Sequence, residues 1–256
     1  MIDFEVKGAI FDVDDTLLDN KPALLGKGLH ERSRLRAAHE VGRRHGIKEL
    51  EQLSPEDNYQ AFLTAPVHTL PAAVWNIMMM TGVADSEVIN PDNLIFQEIV
   101  ALKNELHADI ILEEAEEVPG ASAFVRALAE TGLQDSLAIA SSAIRRDVDL
   151  FLGKTGLTSL FPGERIITLE SITHPKPNPE AFEAAFASLR LPKGDKSQVC
   201  AFEDDPRGIM SAQGAGLFVC AIATRYSREQ LLNLEVPPHL VADTYAEFTQ
   251  LFGLAS

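Results

Sequence analysis

Cysteine is scarce in this chain of 256 residues, which contains only Cys200 and Cys220. Both lie within apolar stretches of the kind that form strands, and their spacing fits no common metal site. Cysteines in such surroundings are typical of buried thiols rather than of a disulfide or a zinc centre. The sequence therefore gives neither cysteine a chemical function.

Long apolar runs are missing as well. None approaches the roughly 20 consecutive apolar residues that a membrane-spanning helix needs. The N-terminus leads directly into an apolar strand and lacks the pattern of a secretory signal. We therefore expect a cytoplasmic protein that does not act at a membrane.

Positive charge is in short supply, with 22 Lys and Arg against 38 Asp and Glu, which gives a net charge of −16. Such a balance argues against general binding to nucleic acid or to anionic membranes. Residues 21–48 are the exception, since they hold eight basic residues against Glu31 and Glu40. A solvated helix face is the ordinary explanation of a basic segment. Recognition of an anionic substrate is the alternative, with Arg32, Arg36 and Arg43 as candidates.

The order of predicted elements favours an α/β fold. After residue 118, helical stretches alternate with short apolar runs, the pattern of a parallel sheet covered by helices. Residues 19–117 are predicted to be helical, with a loop at Pro22 and Gly26 and no clear strand. The predicted strands are 137–141, 164–169, 198–203 and 217–222, and the helices between them are 121–131, 144–155, 178–189 and 206–215.

Residues 7–18 form the stretch around which the rest is organised. The apolar run from Ala9 to Val13 predicts a strand buried on both faces, so Asp12 and Asp14 should emerge at its C-terminal edge. Open α/β sheets bind ligands at that edge. Two carboxylates that point the same way repel each other unless a cation is near. A solvated acidic loop is the alternative interpretation.

Three further polar groups follow predicted strands. Hydroxyls at Ser141 and Ser142 can donate to phosphoryl oxygens, although this segment alone favours a serine that caps the following helix. Prolines on both sides of Lys176 stiffen the backbone and would hold its ammonium in a defined place. Glu203 and Asp204 are hard oxygen ligands of the kind that suits Mg²⁺, while Asp205, just before Pro206, can act as a metal ligand or as a helix cap.

Together these stretches resemble the four motifs of the haloacid dehalogenase superfamily, in the subgroup of helical-cap phosphatases that includes β-phosphoglucomutase. The first motif is Asp-x-Asp-x-Thr at Asp12, Asp14 and Thr16, and the second is the hydroxyl of Ser141. The third is Lys-Pro-x-Pro from Lys176, and the fourth is Glu-Asp-x-x-x-Gly-Ile from Glu203. Asp205 departs from the Ser that many relatives carry at that position.

The resemblance implies a Rossmann-like parallel sheet with helices on both faces, plus an inserted all-helical cap domain. The catalytic core would comprise residues 1–18 and 118–256, and the cap residues 19–117. The family places its mobile cap in an insertion after the first strand, and no residue motif of the family is recognised within 19–117.

The resemblance also implies a Mg²⁺-dependent phosphohydrolase that acts through an aspartyl-phosphate on a small phosphorylated metabolite. Asp12 would be the nucleophile, and Asp14 would protonate the leaving oxygen and then activate water. Asp12, the backbone carbonyl of Asp14 and Asp204 would hold the metal, with Glu203 assisting. Thr16 would orient the loop. Ser141, Ser142 and Lys176 are the expected phosphate ligands.

Two other functions stay open. A phosphomutase that resembles β-phosphoglucomutase would use the same core and transfer phosphate between sugar hydroxyls. A catalytically silent binding protein on the same fold is the second, although it has no chemical need for a complete set of acids, hydroxyl and lysine. Dehalogenation and phosphonate hydrolysis are disfavoured, because those relatives lack the second acid that Asp14 supplies here.

Overall fold

The computed structural model describes residues 3–21, 27–67 and 69–254. The chain divides into two compact units. One comprises Met1–Asp19 and Glu116–Ser256, and the other comprises Asn20–Ala115. Within the described ranges, no helix is both long enough and apolar enough to cross a membrane.

The larger unit contains a sheet of six parallel strands and a separate antiparallel pair. In chain order the strands are β1 (Gly8–Phe11), β2 (Leu18–Asp19), β3 (Glu116–Glu117), β4 (Leu137–Ala140), β5 (Ile166–Ile167), β6 (Val199–Glu203), β7 (Phe218–Ile222) and β8 (Leu240–Ala242). The sheet has the order β5-β4-β1-β6-β7-β8, and β2 pairs with β3. Because β1 is central, Ala9 lies beside Leu137 on one side and Cys200 on the other.

Among the residues that the structure describes, five α-helices belong to the smaller unit and six to the larger. In chain order they are α1 (Leu29–His45), α2 (Lys48–Glu51), α3 (Pro55–Leu63), α4 (Leu70–Met80), α5 (Leu94–Glu114), α6 (Ala121–Leu128), α7 (Arg145–Thr155), α8 (Glu180–Ser188), α9 (Pro206–Gly214), α10 (Arg228–Leu232) and α11 (Tyr245–Leu251).

The strands of the sheet are apolar on both faces, since helices cover each face. Ile10 of β1 packs on one face in a cluster that includes Phe182 of α8. The next residue, Phe11, points to the opposite face and stacks on Phe202 at 4.6 Å between ring centroids. Phe202 in turn contacts Phe124 of α6. This arrangement confirms the predicted α/β fold with a parallel sheet and helices around it.

The smaller unit has a core of its own. Val41, Trp75 and Phe96 lie in one cluster of buried side chains drawn from α1, α4 and α5. Its helix starts follow from local chemistry: the Ser54 hydroxyl accepts a hydrogen bond from the Asp57 backbone N–H at 3.0 Å, as expected for an N-cap before Pro55.

Several predicted elements differ from the observed ones. The strand expected over 164–169 is only Ile166–Ile167, because short 3₁₀ turns occupy the residues on either side. The helix predicted to end at 131 ends at Leu128 and continues as a wider turn to Leu133. The loop predicted at Pro22 and Gly26 lies outside the described residues.

The prediction of no clear strand over residues 20–117 was wrong, since Glu116–Glu117 pairs with Leu18–Asp19. This two-residue strand is acidic, so its own sequence carries no apolar alternation, and only the pairing makes it a strand. The apolar repeat over residues 91–107 predicts an amphipathic helix, and the observed helix begins at Leu94 and continues to Glu114. The last strand, Leu240–Ala242, and the helices Arg228–Leu232 and Tyr245–Leu251 were not predicted.

Candidate active site

Asp12 is held directly at the C-terminal end of the central strand. Its backbone N–H donates to the carbonyl of Phe202 at 3.0 Å, which continues the pairing between β1 and β6 past Phe11. The side chain is buried, with 6% of the residue exposed. Burial raises the pKa of Asp12 well above its usual range, and the nearby Lys176 ammonium opposes that rise.

Lys176 connects three strands at this edge. Its Nζ donates to Asp12 Oδ1 at 2.6 Å, to Glu203 Oε1 at 2.5 Å and to the carbonyl of Ala140 at 2.9 Å. The ammonium is therefore bonded to groups at the ends of β1, β6 and β4 together. Burial alone would lower the pKa of Lys176, but the two carboxylates raise it above its ordinary value, so the side chain is charged.

Glu203 is almost completely buried. Besides Lys176, its carboxylate accepts the backbone N–H groups of Asp204 at 3.1 Å and Asp205 at 3.2 Å. Burial raises its pKa, while Lys176 opposes the rise. The carboxylate also lies against Gly208 in the first turn of α9, where a Cβ would overlap it. A glycine is therefore required at 208 by the close approach of the acid.

Asp12, Glu203 and Asp204 form a buried acidic group. Each offers a carboxylate oxygen within 4.8 Å of the others. Asp204 also accepts the Thr16 hydroxyl at 3.3 Å. Burial raises the pKa of Asp204 well above its usual range. Carboxylates this close destabilise one another when ionised, and a divalent cation is the group that relieves both the repulsion and the burial cost. The donor set thus fits a hard cation.

Asp14 differs from Asp12 in its surroundings. It is partly exposed, and its carboxylate is not one of the three that converge in the described part of the chain. Its charge nevertheless contributes to raising the pKa of Asp12, after the larger effects of burial and of the other neighbours. The backbone of Asp14 forms a bridge with Leu18, so the loop returns on itself just after the strand.

The two serines predicted as phosphate ligands follow β4, the neighbour of β1. Ser141 is buried, and its hydroxyl oxygen accepts the backbone N–H of Ala143 at 3.1 Å. Its own backbone N–H donates to Ile167 at 2.9 Å. Ser142 is partly buried. Since Ala140 is bonded to Lys176, the serines begin at the same edge as Asp12.

Asp205, for which the sequence allowed two roles, is a helix cap. Its carboxylate accepts the backbone N–H of Arg207 at 2.9 Å at the start of α9, with Pro206 in the first helical position. It is not part of the acidic group formed by Asp12, Glu203 and Asp204 within the described residues.

The basic candidates lie on α1, in the other unit. Arg32 makes a two-bond ion pair with Glu114, at 3.3 and 2.7 Å, which lowers the pKa of that acid. Arg43 pairs with Glu40 at 2.8 Å. Arg36 is exposed. Their role with an anionic substrate stays a prediction.

Sequence reasoning missed three side chains that contact the loop carrying Asp14. They are Thr224 and Arg225, just after β7, and Tyr245 in α11, and their bonds to Asp15 and Thr16 span more than 200 positions of sequence. The sequence signal for these contacts was Asp15, a third acid next to the two that the predicted chemistry uses.

A family model described as haloacid dehalogenase-like hydrolase matches residues 6–216. The chain is 34% identical over 71 residues to the validoxylamine A 7'-phosphate phosphatase of Streptomyces hygroscopicus subsp. limoneus, which covers 28% of this chain and 32% of that protein. It is 30% identical over 154 residues to the pyrophosphatase PpaX of Anoxybacillus flavithermus, and the alignment covers 60% of this chain and 66% of that protein. The chain thus aligns with about a third of the length of the first relative and just under two thirds of the length of the second.

Solved structures share the fold. The structure of CbbY from Rhodobacter sphaeroides in complex with phosphate superposes with a TM-score of 0.70 at 20% identity, covering 95% of this chain and 96% of that one. At this level of identity the likeness concerns the fold alone.

The close approach of Gly208 to Glu203 predicts that Gly208→Ala displaces the carboxylate from Lys176. We expect a loss of about 2 kcal/mol in the free energy of unfolding, together with a large loss of activity. The control is Gly153→Ala in α7, where a Cβ meets no atom within 4 Å, so stability should stay the same or rise. Equal melting temperatures of the two variants would contradict the conclusion that the approach of Glu203 requires a glycine at 208.

Proposed function

Because the chain belongs to the haloacid dehalogenase-like hydrolases, we propose that it is a metal-dependent phosphatase in which Asp12 attacks the phosphorus of a small phosphorylated metabolite. The observation that carries this proposal is the position of the Asp12 carboxylate, buried at the end of the central strand and held 2.6 Å from the Lys176 ammonium. A nucleophile so fixed loses little freedom on reaction.

Lys176 has two tasks in this proposal. Its charge favours the ionised form of Asp12 and so opposes burial, which favours the neutral acid. It also places a positive charge beside the transferring phosphoryl group, whose oxygens gather negative charge during attack. Ser141, with its backbone and hydroxyl at the neighbouring strand end, would bind a phosphoryl oxygen, and Ser142 would add a backbone donor.

Asp14 is the proposed general acid and base. Its partial exposure lets its carboxylate reach the oxygen that leaves and, afterwards, the water that enters. Asp12 cannot fill this role, because its carboxylate becomes the phosphorylated group. The two steps would then break the ester bond first and the aspartyl-phosphate bond second.

We propose Mg²⁺ as the metal, held by Asp12, Asp204 and the backbone carbonyl of Asp14, with Glu203 behind them. The buried carboxylates that converge at the sheet edge support this choice, since Mg²⁺ prefers carboxylate oxygens. When bound, the ion would offset the negative charge of the acids and of the phosphoryl oxygens. Glu203 is already bonded to Lys176 and to two backbone N–H groups, so its part would be to hold the others in place.

The substrate class rests on chemistry and on the names of the relatives. One relative acts on a phosphate ester and two are named pyrophosphatases. The test is phosphate release from sugar phosphates, cyclitol phosphates, nucleotides and pyrophosphate, with Mg²⁺ and with chelator. We expect Mg²⁺-dependent release that Asp12→Asn abolishes. Faster transfer of the phosphoryl group to an added sugar than to water would instead indicate a phosphomutase. If no substrate is turned over, the result would indicate a binding protein.

The raised pKa values of Asp12, Glu203 and Asp204 predict how metal and pH affect stability. Acids whose pKa is raised by folding weaken the folded state as pH rises above about 4, their unfolded value. Saturating Mg²⁺ at pH 7.5 should therefore raise the melting temperature by about 5 °C. The gain should shrink at pH 5, because protons compete for the same oxygens.

Asp204→Asn is the matched variant for this measurement. In chelator at pH 7.5 it should melt at the same temperature as the wild type or higher, since one buried charge is gone. It should lose the Mg²⁺-dependent gain. An equal gain in K⁺ of matched ionic strength, or a gain kept by Asp204→Asn, would contradict the site.

Asp14→Asn separates covalent catalysis from direct attack by water. The variant should keep most of its affinity for Mg²⁺, because the proposed contact is the backbone carbonyl. Its turnover should fall by about 10² to 10⁴, since both proton transfers lose assistance.

With 4-nitrophenyl phosphate, whose leaving group needs no proton, the first step should recover while the second stays slow. Phosphorylated Asp12 should then accumulate and appear as a mass increase on its peptide. Wild-type turnover, or label on Ser141, would refute these roles.

A further inference from the structure

The loop that carries Asp14 contains a buried acid that the proposed chemistry does not use. Asp15 is 1% exposed and adopts a left-handed backbone conformation, with φ of 59°. Asp tolerates this region better than most residues with a side chain. Its backbone N–H donates to the carbonyl of Leu18 at 2.7 Å, and the N–H groups of Leu17 and Leu18 both donate to Val13 at 2.8 Å. The loop is thus a tight turn with Asp15 at its bend.

Three side chains from the C-terminal part of the chain hold this turn. Arg225 donates from Nη2 to Asp15 Oδ2 at 2.7 Å, and the hydroxyl of Thr224 donates to the Asp15 carbonyl at 2.6 Å. The hydroxyl of Tyr245 donates to the carbonyl of Thr16 at 2.9 Å. The two residues after Asp14 are therefore fixed to the β7–α10 connection and to α11.

The charge of Arg225 matters as much as its bond. The carboxylate of Asp15 contributes to raising the pKa of Asp204, while Arg225 works in the opposite direction. Without the guanidinium, the buried carboxylate of Asp15 would lose the counter-charge that Arg225 supplies, and breaking a buried ion pair is costly to a folded protein. An arginine is suited to this position because its charge is permanent.

We propose that Arg225 is a positioning residue which, through Asp15, fixes the turn that aims Asp14 at the leaving-group oxygen. This inference rests on the proposed function of Asp14. Asp12 is fixed by the pairing of β1 and β6, but Asp14 lies beyond the strand and depends on the turn for its direction. A misplacement of about 1 Å in a catalytic group can cost about a hundredfold in rate.

The test compares Arg225→Met, Asp15→Asn and the double variant with the wild type. A matched control is Arg228→Met, which removes another arginine of the same region. Arg228 is bonded to Asp243, Glu247 and the carbonyl of Val241, all away from the turn. Arg225→Met and Asp15→Asn should each lower kcat by about ten- to a hundredfold with little change in KM. The kcat of the double variant should be no lower than that of the less active single variant, because the two residues act as a unit.

Two readouts distinguish positioning from mere support of the fold. With 4-nitrophenyl phosphate, Arg225→Met should accumulate phosphorylated Asp12, because water activation by a misdirected Asp14 is slow. The control should not accumulate it. Asp15→Gly keeps the left-handed turn without strain and deletes the carboxylate, so it should be as slow as Asp15→Asn. Arg225→Lys should recover part of the rate. If Arg225→Met does not fold, the two Asp15 variants and Arg225→Lys decide.

Several outcomes would overturn the inference while leaving the proposed function intact. One is an Arg225→Met variant whose kcat equals that of Arg228→Met. The proposed function stays intact in that case if the wild type is active and Asp12→Asn is inactive. Wild-type kcat in Asp15→Gly would show that only the shape of the turn matters. Independent, multiplicative losses in the double variant would show that the pair is not a unit. If Asp12→Asn keeps full activity, the proposed function itself fails and the inference fails with it.

Discussion

The site depends on one ammonium group placed between two buried carboxylates. Lys176 lies between Asp12 and Glu203, and its third bond goes to the carbonyl of Ala140. Removing a carboxylate from water costs several kcal/mol, and the interaction repays that cost only with good geometry and complete hydrogen bonding. Here the parallel strands supply the geometry, because their carboxyl ends meet at one edge. Asp204 completes the acidic group, and burial raises its pKa well above the usual range, which is why the donor set fits a metal.

Stability and catalysis compete at this edge. Three acids with raised pKa values are a burden on the folded state at neutral pH. The packed cores on the two faces of the sheet offset this cost. Phe11 and Phe202, which come just before Asp12 and Glu203 in the chain, stack on each other in one of them. The sheet therefore does more than align the strands: its packing offsets the cost of concentrating like charges at its end.

The parts of the site that the sequence predicted share one property. Asp12, Ser141 and Glu203 each come at or just after an apolar run that forms a strand, so the run and the polar residue predict each other. The rest depends on contacts between distant parts of the chain. Arg225 sits in an ordinary polar loop and acquires its significance only when β7 brings it to Asp15. The same reason explains the missed strand Glu116–Glu117, which is defined by its partner and not by its own residues.

The central strand comes first in the sheet's chain order, and both of its neighbours lie far along the chain. Ala9 pairs with Leu137 and with Cys200, so β1 leaves the ribosome long before either partner exists. Pairings so distant in sequence form slowly, and the unpaired strand stays exposed to aggregation in the meantime. A nascent chain that has not yet reached β6 also lacks Glu203 and Asp204. The proposed nucleophile, Asp12, is therefore synthesised long before Lys176, Glu203 and Asp204, and its carboxylate has none of these neighbours until the later strands have formed.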